Sequence, residues 1–293
     1  MRRLVVAVLT KFDESGKLSL DESYADFLRK LVDSGVDTVM VAGSNGEFHA
    51  MNEGERKELA EFAVGVLGND RIMVHAGGSS FFETLKIAEH ALSLGVREIS
   101  VVTPYYFPYD QKAIEDYYVS LAKALPNAKL IIYNIPSFTG NRIRPETIIK
   151  IVEKADNVIG LKDTDNRPWI AGFLKNEIPG FVVFSGNDYT VADYNARGAD
   201  GAVSGSANLV PRLLRKILDS IDDGKTEAFD LQRILDRFVS KVSGHTAFVA
   251  ANKFVLRERG YDVGFPRKPS RDLMNEERKE LRKVIGEFED WLV

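Results

Sequence analysis

A chain of 293 residues with 44% hydrophobic content can bury a large core, and its net charge of -4 argues against a nucleic-acid or anionic-membrane surface, since either favours a basic face. It contains no cysteine, which excludes a disulfide framework, a thiolate nucleophile and a cysteine-ligated metal. The histidines His49, His75, His90 and His245 are far apart, with no HxH or HExxH spacing, and argue against a zinc site.

The opening M-R-R-L-V-V-A-V-L-T run is too short for a signal sequence, and no apolar stretch has membrane length, so a soluble, cytoplasmic chain is expected. Short apolar runs then recur with helical patterns between them. Leu4 to Leu9, Thr38 to Ala42, Ile72 to His75 and Glu98 to Val102 are the first strand candidates. Leu130 to Ile132 and Val158 to Leu161 follow, then Phe181 to Phe184 and Gly201 to Val203. Amphipathic segments intervene at Ser23 to Asp33, Glu53 to Leu67, Phe82 to Leu94 and Gln111 to Leu125. Asn52 reads as an N-cap, and Ser34-Gly35, Gly68-Asn69 and Leu94-Gly95 as helix-ending turns.

Strand and helix alternating eight times predict an α/β fold of the closed (β/α)8 TIM-barrel type. An open doubly wound sheet is the alternative, but no glycine-rich phosphate loop follows the first strand. From Leu209 the pattern is helical only: Pro211 to Ile221, Thr226 to Val242, Ala247 to Arg259 and Asn275 to Val293. Residues 1–223 are therefore assigned to the barrel and residues 224–293 to a C-terminal helical extension packed on it, with Ser243 and His245 within reach of the mouth.

In such a barrel, function collects where the strands end. Gly43-Ser44-Asn45-Gly46-Glu47 follows the second strand, Thr103-Pro104-Tyr105-Tyr106 the fourth, and Tyr133-Asn134 the fifth. Lys162-Asp163-Thr164 follows the sixth, Ser185-Gly186-Asn187-Asp188 the seventh and Ser204-Gly205-Ser206 the eighth. If the fifth and sixth strands are neighbours, ~4.8 Å apart, Tyr133 and Lys162 reach one small molecule. A free lysine is almost wholly protonated at pH 7, with roughly one amine in a few thousand neutral. Burial disfavours the charged form, and a neutral amine attacks a ketone to give a Schiff base, an electron sink that permits carbon–carbon cleavage without a metal or other cofactor. Tyr133 is the candidate proton shuttle, with Ser44 and Tyr106 as relay partners. The Gly43–Gly46 loop offers backbone N–H groups and a hydroxyl for a carboxylate. A plain βα turn is the other reading of it, and Tyr105, Phe107 and Tyr109 read as packing aromatics.

Taken in order, these motifs resemble the dihydrodipicolinate synthase / N-acetylneuraminate lyase family of class I Schiff-base aldolases. The resemblance lies in Gly43-Ser44-Asn45-Gly46-Glu47, Pro104-Tyr105-Tyr106, Tyr133-Asn134-Ile135-Pro136, Gly160-Leu161-Lys162-Asp163 and the Gly201 to Pro211 stretch. It implies that Lys162 forms an imine with pyruvate or another 2-oxo acid, with Tyr133 as acid/base and Ser44 as relay. It further implies that Tyr106 completes the relay in a neighbouring subunit's site, within a homotetramer built as a dimer of dimers. Ser44 and Asn45 would hold the keto-acid carboxylate, with the Val203 carbonyl near the imine.

Two departures bear on substrate. Asn45 stands in place of the family's threonine, and Phe138 stands where dipicolinate synthases carry an arginine for the second substrate's carboxylate. The Y-N-I-P-x-F-T run is similar instead to archaeal 2-keto-3-deoxygluconate aldolases, which implies that Thr164, Gly186 and Asp188 face sugar hydroxyls. The expected function is cleavage of 2-keto-3-deoxygluconate, or a phosphorylated or galactose-derived relative, to pyruvate and a glyceraldehyde. N-acetylneuraminate lyase, dipicolinate synthase and deoxy-sugar-acid dehydratase are the enzymatic alternatives, and a non-catalytic 2-oxo-acid sensor the alternative of another class.

Overall fold

The computed structural model describes residues 1–242 and 247–293; Ser243 and His245 lie outside the described residues. Eight parallel strands close into a barrel in chain order. They are β1 (Arg3–Ala7), β2 (Thr38–Val41), β3 (Ile72–His75), β4 (Glu98–Val102), β5 (Lys129–Asn134), β6 (Val158–Asp163), β7 (Val182–Ser185) and β8 (Gly201–Ser204). Arg3 to Val6 of β1 pair with Gly201 to Ser204 of β8 and shut the ring. The predicted TIM barrel and its C-terminal helices are both present.

The helices are α1 (Glu22–Asp33), α2 (Glu53–Leu67), α3 (Phe81–Ser93), α4 (Gln111–Ala124), α5 (Pro136–Thr139), α6 (Pro145–Val152), α7 (Trp169–Glu177), α8 (Val191–Ala196) and α9 (Pro211–Asp222), followed by α10 (Glu227–Val242), α11 (Phe248–Glu258) and α12 (Asn275–Glu287). Their ends follow local chemistry. Asn52 and Glu55 exchange hydrogen bonds as a capping box at the start of α2. Gly35, Gly68 and Gly95, with φ of 98°, 79° and 84°, take the left-handed turns that end α1, α2 and α3. Among the described residues, no helix is long and apolar enough to cross a membrane.

Side chains alternate along each strand. One set, Val5, Ala7, Met40, Met73, Ile131, Phe184 and Val203, fills the barrel interior. The other, including Val6, Val39, Val74 and Ile132, joins the helices in the main core. Burial on both faces explains the continuous valine and isoleucine runs. At the end opposite the strand C-termini, the Arg3 guanidinium grips both Glu98 oxygens at 2.8 and 2.7 Å.

The first strand stops two residues short of expectation. Val8 still bonds to the Met40 carbonyl, but the Leu9 N–H turns to the Asn208 side chain at 3.1 Å. Both residues are fully buried and apolar, so the pattern alone extends the strand past the point where its ladder ends. The last helix also ends early: α12 closes at Glu287 and a short 3-10 turn, Glu289–Trp291, completes the segment. The extension is tied to the barrel by α10 against α9, and within it α11 packs on α10 and α12.

Candidate active site

Tyr133 and Lys162 are direct register partners on β5 and β6. Each lies two residues beyond an interior position, so both side chains point into the barrel at its C-terminal end. They are 2% and 4% exposed. The Lys162 amine stands 3.9 Å from the centre of the Tyr133 ring. Among the described residues it makes no hydrogen bond or salt bridge, which leaves its nitrogen open to the cavity it lines. The Tyr133 hydroxyl meets the Ser44 hydroxyl at 3.3 Å, with either as donor. Three of the four expected catalytic groups thus converge.

Ser44 and Asn45 line the same cavity, of about 270 Å³. Their loop is bracketed by two non-glycine residues in the left-handed region, Ala42 (φ 54°) and Glu47 (φ 59°). Each such residue costs about 1–2 kcal/mol, so something must hold it. The Glu47 N–H donates to the Ser44 carbonyl and Phe48 N–H to that of Gly43. The Ser44 and Asn45 N–H groups, among the described residues, donate to no protein acceptor and remain available to an anion. Added bulk at two glycines here would push neighbouring side chains aside. A Cβ at Gly43 would lie 2.7 Å from Met40 Cε, and one at Gly205 2.3 Å from the Asn45 amide.

Glu47 itself is wholly buried. Its carboxylate accepts from Lys253 Nζ at 2.8 Å and from the Arg267 N–H at 2.9 Å. Lys253, equally buried, donates also to the Phe265 carbonyl at 2.6 Å. Burial lowers the Lys253 amine from its ordinary value to about 8, against the pull of the Glu47 carboxylate.

On the β6–β8 side, Thr164, Gly186, Asp188 and Val203 all line the cavity, as expected. Thr164 Oγ1 donates to the Asn134 carbonyl at 2.9 Å. Gly186 packs where a Cβ would meet Thr164 Cγ2 at 2.6 Å and Lys162 Cγ at 3.1 Å. Asp188 accepts from the Ser206 N–H at 3.0 Å with one oxygen. Ser206 Oγ is buried without a partner among the described residues. Asp163, next to Lys162, faces away from the cavity: burial raises its carboxyl pKa, while Tyr194 and Asn134 each donate to it at 2.6 Å.

Tyr106 is not brought to this cavity. It is 85% exposed and its ring meets that of Phe107, 63% exposed, edge-on at 5.1 Å. The packing expected of Phe107 is therefore not found within the described chain. Phe138, 64% exposed, lines the cavity and a neighbouring apolar one of about 480 Å³. Sequence reasoning missed Ser137, Tyr189 and three residues of the extension, Val239, Phe248 and Asn252, which also line the site. It also missed Lys253. The signal available was a polar Asn-Lys pair set inside the apolar F-V-A-A-N-K-F-V-L run, a pattern of a helix buried all round.

Beneath Tyr133 sits His75, the last residue of β3, fully buried with its ring edge-on to Tyr133 at 5.7 Å and to Phe48 at 4.7 Å. Burial, then the nearby Arg56 and Lys162 charges, hold its pKa well below the usual histidine range. Arg56 is buried too and donates to the His75 and Gly77 carbonyls at 2.7 and 3.0 Å.

Comparison with known proteins agrees with this architecture. The sequence profile of the dihydrodipicolinate synthetase family matches residues 1–288. A 4-hydroxy-tetrahydrodipicolinate synthase of Prochlorococcus marinus is 31% identical over 287 residues, 97% of this chain and 94% of the relative. Among solved structures, YagE, a protein of Escherichia coli K12 belonging to the dihydrodipicolinic acid synthase family and solved with pyruvate, superposes with a TM-score of 0.91 at 25% identity, covering 99% of both chains. A sialic acid aldolase of Ruminococcus gnavus superposes with a TM-score of 0.92 at 26% identity, covering 99% of this chain and 97% of the other.

Proposed function

The chain belongs to the dihydrodipicolinate synthetase family of lyases and aldolases, and from that premise we propose that it cleaves 2-keto-3-deoxygluconate or a related 2-keto-3-deoxy sugar acid to pyruvate and a glyceraldehyde. The observation that carries the reading is the convergence of the Lys162 amine, the Tyr133 phenol and the Ser44 hydroxyl on one pocket. Lys162 Nζ attacks the C2 ketone, and the carbinolamine loses water to give the imine. Tyr133 takes the proton of the C4 hydroxyl while the C3–C4 electron pair flows to the iminium nitrogen, releasing glyceraldehyde and leaving an enamine. Protonation of C3 and hydrolysis by water then free pyruvate and regenerate the amine. Ser44 relays the proton, and the Ser44 and Asn45 N–H groups hold the carboxylate. Val203 offers its carbonyl to the imine.

Two features support a polyhydroxylated substrate. Phe138 supplies no cation for a second carboxylate, whereas a bidentate arginine does. Thr164, Asp188 and Ser206 supply acceptors and donors along the cavity beyond Lys162, with Gly186 leaving room. Tyr106, exposed beside Phe107, acts in the site of a second copy, within a homotetramer built as a dimer of dimers.

The test is pyruvate release from a panel: 2-keto-3-deoxygluconate, its phosphorylated and galactose-derived relatives, and N-acetylneuraminate. Release from the deoxy sugar acids is expected. Pyruvate released only from N-acetylneuraminate assigns that substrate instead. Condensation of pyruvate only with a carboxylate-bearing aldehyde reassigns the chain as a synthase, loss of water without pyruvate makes it a dehydratase, and saturable pyruvate binding without turnover makes it a sensor.

A further inference from the structure

The ion pair of Glu47 and Lys253 joins residues 206 positions apart, and both side chains are completely buried. One end lies immediately after the loop that presents Ser44 and Asn45. The other lies in the middle of α11, whose Phe248 and Asn252 line the same cavity. The contact is reinforced on both sides: Lys253 reaches the Phe265 carbonyl, Glu47 accepts the Arg267 N–H, and the Arg267 guanidinium clasps both oxygens of Glu55 at 2.8 and 2.7 Å. Phe12 lies under both cations, 4.9 Å from the Lys253 amine and 4.8 Å from the Arg267 guanidinium carbon.

A fully desolvated ion pair is a weak device for stability, because apolar residues of similar volume often serve as well; what this one does is join two distant segments of the chain. Here the geometry fixed is that of a loop whose far end, Glu47, sits in a left-handed conformation, tied through its backbone to Ser44 and Ala50 and through its carboxylate to Lys253 and Arg267. Resting on the aldolase reading above, we propose that Lys253 is a positioning residue of the reaction. Through Glu47 it holds the Ser44–Asn45 loop in the form that receives the keto-acid carboxylate. The C-terminal extension is thereby part of the catalytic apparatus. Lys253 touches neither substrate nor the reacting atoms.

The experiment compares wild type with Lys253→Met, Glu47→Gln and the double variant. It measures the pyruvate concentration giving half-maximal borohydride labelling of Lys162, by intact mass, beside the melting temperature. In Lys253→Met the half-saturating concentration rises about 10- to 100-fold, the scale of a small misplacement in a preorganised site, while saturating pyruvate still labels the protein fully. The double variant recovers part of the loss, because no carboxylate is left buried and unpaired. An unchanged half-saturating concentration in folded Lys253→Met, whatever its melting temperature, overturns the role. Should that variant not fold, Glu47→Gln, which keeps the side chain's shape, carries the same test with the same two outcomes. A wild type left unlabelled overturns the aldolase reading itself and this role with it.

Discussion

The Lys162 amine lies over the face of the Tyr133 ring, 3.9 Å from its centre, while the Tyr133 hydroxyl is engaged by Ser44 at 3.3 Å. The same side chain therefore offers two separate functions. Its π-face attracts a cation, which suits an iminium on Lys162. Its oxygen is linked to a hydroxyl, so a proton can leave along the Ser44 side without passing through the amine.

Tyr133→Phe keeps the ring and removes only the oxygen. Imine trapping with pyruvate and borohydride should persist, while cleavage slows by roughly 10²- to 10⁴-fold, the contribution of a positioned acid/base. Single-turnover pyruvate release measures it. Normal turnover in the variant removes Tyr133 from the proton path.

Phe138→Arg should place a guanidinium at the mouth shared by the two cavities. At this exposed mouth the low end of the about 1.5–3 kcal/mol of a charge-assisted bond applies, which predicts roughly a tenfold gain for aldehydes that carry a carboxylate, and none for glyceraldehyde. Competition between the two aldehydes in the condensation direction reads the ratio directly. If it does not move, Phe138 does not set this specificity.

Gly186→Ala inserts a methyl 2.6 Å from Thr164 Cγ2 and 3.0 Å from the Asp163 carbonyl, next to the Lys162 stem. The variant should lose about 1–3 kcal/mol in urea unfolding, as overpacked sites do, and bind pyruvate more weakly. Wild-type stability would mean that the β6 and β7 ends yield more easily than their packing suggests.

If Tyr106 serves a second copy, Lys162→Arg and Tyr106→Phe damage different residues of one shared site. Mixed oligomers then contain sites with an intact lysine and an intact partner tyrosine. Activity after co-refolding should exceed the sum of the two variants refolded apart. Simple additivity, or a monomer in sedimentation, rules the shared site out.

His75 is held neutral by burial, so its folded pKa lies below the unfolded value of about 6.5. As pH falls through that value, the unfolded chain takes up a proton that the folded chain refuses. Stability is thus lost on acidification, by up to about 1.4 kcal/mol per pH unit for this group, and is fully present above it. Urea unfolding between pH 8 and 5 should show the wild type falling more steeply than His75→Gln. Parallel curves would assign the acid sensitivity to other groups.

Much of the site was legible because barrel chemistry is local. A charge or phenol ending an apolar run, as at Lys162 and Tyr133, is marked by the run itself, and strand adjacency follows from alternation. Thr164, Gly186 and Asp188 fall at strand ends by the same rule and line the cavity; Val203, which the family resemblance supplied, lines it as well. Where the rule failed, apolar character outlasted backbone pairing, as at Val8 and Leu9. It failed again where a residue's partner was chosen by chain reversal and not by neighbours.

Periodicity and turn residues act over a few positions, so the closed barrel, the strand ends on which Lys162 and Tyr133 sit, and the loop carrying Ser44 could be read along the chain. That the Tyr133 hydroxyl meets Ser44, that α11 supplies Phe248 and Asn252, and that Lys253 neutralises Glu47 follows from how the chain closes in three dimensions. Those pairings join residues 89 and 206 positions apart. They exist because burying two polar groups together costs less than burying either alone, a choice made only once the core has closed.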